Sequence, residues 1–141
     1  MILSSNSGPR NGVKGKLYRW GPVLGCMILI FYMSSKPDLP DVPYLEGFLW
    51  DDKLLHVVAY AVLGALIWRA LSRTSPKWWQ IGATVALATA YGLSDESHQY
   101  YVPGREFDMW DLAADALGSA IAAVALTLRI GGDYSGKETQ R

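Results

Sequence analysis

Four apolar runs limit what this chain can fold into. They lie at about 17–35, 53–71, 77–96 and 108–130. Each is close to the roughly 20 residues a helix needs to cross hydrocarbon. The core of the first, WGPVLGCMILIFYM, is uncharged. The runs are apolar all round rather than on one stripe, which argues against a soluble bundle of amphipathic helices. Their ends carry Trp, Tyr, Lys or Arg, the residues suited to a water–lipid boundary. The expected fold is an all-α membrane protein, a bundle of four transmembrane helices. Pro22 is expected in the first turns of its helix, where a missing N–H is tolerated.

The remaining segments fit that architecture. Residues 1–16 read as a disordered basic tail and 131–141 as a polar tail, leaving 17–130 as one membrane domain. Residues 36–52 carry Pro37, Pro40 and Pro43 and then Tyr44, Phe48 and Trp50, as expected of a segment on the membrane surface. Residues 72–77 read as a short basic turn. No cleavable leader is expected, because the first apolar run starts late and lacks a small-residue cleavage site. Val23-Leu24-Gly25-Cys26 is misplaced for a lipidation box, since the apolar run follows Cys26. That cysteine is the only one, so no intrachain disulfide forms.

Charge distribution predicts an orientation. Of 13 Lys and Arg, only Lys36, Lys53 and Arg105 fall on the side away from the termini. By the positive-inside rule both termini are expected in the cytoplasm. Of 13 acidic residues, only Asp133 and Glu138 lie on the inner side. Acidic residues barely affect insertion, so their asymmetry points to work at the outer face. Zero formal net charge predicts no nucleic-acid partner.

The densest charge lies in 91–115, YGLSDESHQYYVPGREFDMWDLAAD. Lys53, His56 and Tyr60 share one helix face at i, i+3, i+7, with Asp52 four residues before His56. Glu96 and Gln99 pair if the third helix reaches that far, and Asp108, Asp111 and Asp115 repeat the i, i+3, i+7 spacing. Three helices therefore offer polar stripes at one level. Asp115 lies roughly 10 Å inside its helix. There it must face the bundle, be protonated, or meet Arg105, Lys53 or His56. Gly118, Ser119 and Ala122 form a small face suited to close helix packing. Pro103-Gly104 marks a turn. Glu106 and His98 are expected in solvent, and Tyr100 and Tyr101 at the interface.

These residues resemble the VanZ-like family of small bacterial membrane proteins. The resemblance rests on DKLLHVVAYAVLG at 52–64, YGLSDESHQYYVPGR at 91–105 and DMWDLAADALGS at 108–119. It implies as motif positions Asp52, Lys53, His56, Tyr60, Asp95, Glu96, Gln99, Pro103, Gly104, Arg105, Asp111, Asp115 and Gly118. Many members carry Asn at the position of Asp115. The family is named for a protein associated with teicoplanin resistance, so the resemblance implies a membrane location and a link to glycopeptide tolerance.

Three functions remain open on sequence. One is an outward-facing site that binds or modifies an envelope component, such as a lipid-linked or peptidoglycan precursor. Another is a hydrolase or transferase acting on an anionic lipid, with His56 and Glu96 as acid and base and Lys53 and Arg105 as anion clamp. The third is a proton or cation transport element centred on Asp115. Asp52, Tyr60, Gln99, Asp108 and Asp111 complete the candidate binding set. No resident cofactor is expected, although a divalent cation suits a set of Asp, Glu and His.

Overall fold

A computed structural model of the chain describes residues 12–36, 51–71 and 77–138. Within them the chain forms α1 (Val13–Ser34), α2 (Asp51–Ala70), α3 (Lys77–Gln99) and α4 (Met109–Glu138). The expected basic tail at 1–11, the surface segment at 37–50, the turn at 72–76 and residues 139–141 lie outside the described residues.

Helix limits differ from expectation at both ends. Val13 opens α1, ahead of residue 17, which places Pro22 well inside the helix instead of in its first turns. Its missing N–H leaves the Tyr18 carbonyl without an intrahelical donor. α4 continues beyond residue 130 to Glu138, with no proline after Met109 to stop it.

α1, α2 and α4 are long and apolar enough to cross a membrane. α3 does not reach that composition, because Gln80, Thr84, Asp95, Glu96 and Gln99 interrupt it. Those polar residues are its buried ones, at Gln80, Thr84, Ala88, Gly92, Asp95, Glu96 and Gln99. Its exposed side carries Trp78, Trp79, Leu87 and Leu93. In water this arrangement would be inside out. Beside lipid it is the favourable one, because hydrocarbon accepts the apolar face and the bundle satisfies the polar one.

The helices run up and down in alternation. Ser34 at the end of α1 meets Asp95 near the end of α3, and Lys53 at the start of α2 meets Asp108 and Asp111 at the start of α4. At the other end Gln80 donates to the Trp68 carbonyl at 2.7 Å and Trp68 donates to Thr127 Oγ1 at 3.1 Å. Between these polar layers lies a core of Val23, Tyr60, Leu63, Ile67, Ala70 and Ala88.

α2 and α4 form the most extensive pairing. Asp111, Ala114, Asp115, Ser119 and Ala123 of α4 are buried at helical spacing. A Cβ added at Gly118 would strike the Val57 carbonyl, and one at Gly64 would come 2.7 Å from the Ser119 Cα. The expected small-residue face is therefore the seam on which the two backbones approach.

Candidate functional site

The polar layer where α1 and α3 end and α2 and α4 begin contains the buried carboxylates Asp95, Glu96, Asp111 and Asp115. Asp108 precedes the first residue of α4 and accepts the Trp110 N–H on Oδ1 at 2.8 Å, a helix N-cap. Its other oxygen accepts from Lys53 Nζ at 2.6 Å, and Lys53 also donates to Asp111 Oδ1 at 2.7 Å. The hydrogen bond from Lys53, with that from the Trp110 N–H, holds the Asp108 carboxyl below the ordinary carboxylate range. Lys53 is thus clasped by two carboxylates and is not presented alone to an anion.

One turn deeper, His56 donates Nδ1–H to Asp115 Oδ1 at 2.9 Å, while its Nε2 lies 3.9 Å from Asp111 Oδ2. Asp115 is wholly buried and faces the bundle. Its carboxylate presses on Gly92 of α3, where any Cβ would collide with Oδ2. Beside it, Glu96 accepts the Asp108 N–H on Oε2 at 3.0 Å. Among the described residues, Glu96 Oε1 and Asp115 Oδ2 are buried and receive no hydrogen bond. Asp115→Asn keeps an acceptor for His56 and is expected to stay within about 1 kcal/mol of the parent. Asp115→Ala strands a buried N–H and is expected to cost about 1–3 kcal/mol, read from thermal unfolding in micelles.

A second polar chain runs towards α1. Val102 accepts the Arg105 N–H at 3.1 Å across Pro103-Gly104, and Gly104 has φ +82°. Glycine occupies the third position of this type II turn because L side chains avoid that conformation. The turn brings Arg105 back over α3, where its Nε donates to Gln99 Oε1 at 3.0 Å and Nη2 also reaches that oxygen. Gln99 in turn donates to Asp95 Oδ2 at 3.2 Å, and Ser34 Oγ donates to Asp95 Oδ1 at 2.6 Å.

This chain forms the polar floor of a cavity of about 300 Å³ between α1 and α2. Leu29, Met33, Leu55 and Val62 line its apolar walls and continue onto the exposed apolar surface. His56, Arg105 and Tyr60 also line it. The Tyr60 hydroxyl is buried and has no hydrogen-bond partner among the described residues.

Of the expected residues, Lys53, His56, Glu96, Asp108, Asp111 and Asp115 meet in one cluster, while Tyr60, Gln99 and Arg105 border the adjoining cavity. The side chain of Asp52 lies outside the described residues. Ser34 was missed, because nothing in α1 distinguished one serine near its end. Asp95 had a signal in its motif position but was left out of the candidate binding set. His98 departs from its expected place in solvent: it is half-buried, 3.1 Å from Ser35 Oγ, with its ring tilted 32° to that of Phe31 and the centroids 4.4 Å apart. Glu106, Tyr100 and Tyr101 are exposed.

A sequence model for a family described as VanZ/LLP1 matches residues 20–130, most of the chain. No curated protein and no solved structure matches it.

Proposed function

The chain belongs to the VanZ/LLP1 family, and from that premise we propose that it binds a membrane-resident amphiphile of the bacterial envelope. The lipid tail lies along the apolar walls between α1 and α2, and the polar head meets Arg105, Tyr60 and His56. The cavity carries this reading: its walls are continuous with the exposed apolar surface, and its floor is polar. α3 is the fourth crossing, with its polar face satisfied inside the bundle. Both termini are cytoplasmic and the polar layer faces outwards, in keeping with the crowding of Lys and Arg at the opposite end. A lipid-linked or peptidoglycan precursor has the required chemistry, and holding one would bear on glycopeptide tolerance.

A second reading, acid–base hydrolysis or transfer on the same amphiphile, is favoured by the His56–Asp115 pair beside the unpaired Glu96 Oε1. Transport has less support, because the buried carboxylates named above all lie in one layer.

The test is mass spectrometry of lipids retained when the protein is extracted in polymer-bounded discs and exchanged into detergent. The parent is expected to retain one class of amphiphile. Ala59→Phe, which fills the cavity, should lose at least about 90% of it, a tenfold change worth about 1.4 kcal/mol. Equal lipid content in parent and variant would sink the reading. A retained lipid recovered in chemically altered form would favour the second reading.

A further inference from the structure

We propose that His56, Glu96 and Asp111 form a binding site for a divalent transition-metal ion of the Mn2+ or Zn2+ type, buried where α2, α3 and α4 meet. One ligand atom from each residue lies within 4.8 Å of the others, and all three residues are buried. Metal bonds of about 2.0–2.2 Å to nitrogen and oxygen set neighbouring ligands about 3.0–3.6 Å apart, so closure draws the most widely separated of the three atoms together by roughly 1 Å.

Three further observations point to an ion. Glu96 is wholly buried, and among the described residues its Oε1 accepts no hydrogen bond, although its other oxygen holds the backbone at the start of α4. A buried carboxylate oxygen without a donor is costly, and a cation satisfies it directly. His56 engages Asp115 through Nδ1 and turns Nε2 towards Asp111. This is how a metal-binding imidazole is oriented, with a carboxylate on the far nitrogen fixing the tautomer and raising basicity. Lastly, Glu96, Asp108, Asp111 and Asp115 converge on one cluster in which, among the described residues, the Lys53 ammonium lies on Asp108 and Asp111 and His56 on Asp115. A dication there would offset carboxylate charge in the bundle interior.

A mixed imidazole and carboxylate set suits Mn2+ or Zn2+ better than Ca2+, which prefers six to eight oxygens. The site adjoins the amphiphile cavity through His56 but does not depend on its occupant. An ion here would face the head group of a bound lipid.

The experiment uses the full chain in micelles, stripped with a chelator and titrated with Mn2+ alone. Free Mn2+ is followed by electron paramagnetic resonance. One ion per chain is expected, bound more tightly than about 1 mM. Glu96→Gln and His56→Gln should each weaken binding by about tenfold or more, and Zn2+ should compete. Gly82→Ala, outside the set and with nothing within 4 Å of the added Cβ, should bind as the parent does. A spin-echo measurement on parent protein adds a test that needs no variant: the bound Mn2+ should show nitrogen coupling from one imidazole. Lack of saturable binding by the parent, a bound ion without nitrogen coupling, or unchanged affinity in folded Glu96→Gln would each overturn the proposal. Because the readout is the ion, it can fail while lipid retention succeeds, and the reverse.

Discussion

Gly118→Val is expected to abolish the native pairing of α2 and α4, with a loss of more than about 3 kcal/mol. A Cβ at this position meets the Val57 carbonyl, part of a helix backbone and unable to rotate away. The helices must separate, and the polar layer between their first turns separates with them. Even Gly118→Ala should be strongly destabilising. Gly25→Ala and Gly82→Ala supply the contrast, since a Cβ at either meets nothing within 4 Å. Both should be tolerated, because alanine favours helix over glycine by about 0.8–1.0 kcal/mol. Yield of monodisperse protein in micelles and thermal unfolding of the soluble fraction read the difference. Equal stability of Gly118→Val and Gly25→Ala would mean that the seam does not hold the bundle together.

Lys53→Met is expected to cost about 2–3 kcal/mol at neutral pH. Breaking a buried ion pair leaves a carboxylate without its counter-charge, a cost reduced here by the partial exposure of Lys53 and Asp108. Asp111 bears most of the loss, because only 4% of its side chain is exposed. The sign of the pH dependence follows from Asp108. Its carboxyl is depressed in the folded protein, so it adds stability above its ordinary titration range. That stability disappears as pH falls through the folded value. Lys53→Met removes it from the start, so the gap between parent and variant should be widest near neutrality and narrow on acidification. Unfolding in micelles from pH 7 to about pH 3 measures this. A gap that widens in acid would show that Lys53 does not stabilise these carboxylates.

Much of the site was legible along the chain because helical spacing reports which side chains share a face. Lys53, His56 and Tyr60 are one such stripe, and Asp108, Asp111 and Asp115 another. Depth was legible too: a carboxylate about two turns into an apolar run needs a partner, and His56 was among those available to Asp115. The choice of partners was not. Lys53 was a candidate half of an anion clamp, yet it lies between two carboxylates of α4. His98, whose sequence context suits solvent, packs against the Phe31 ring. Local sequence carries no information about which helix stands opposite a given face.

Helical structure, a mostly apolar surface and the crowding of acidic residues towards one side can all be read along the chain. Composition and a period of 3.6 residues suffice for each, because both act within a single helix. Only the tertiary structure decided that α3 turns its polar face inwards, that Ser34 of α1 reaches Asp95, and that Glu96, His56 and Asp111 share one centre. These depend on the rotation of each helix about its own axis. Gly64, Gly92 and Gly118 constrain that rotation by admitting a neighbour closer than any Cβ would allow, a constraint that exists only between helices.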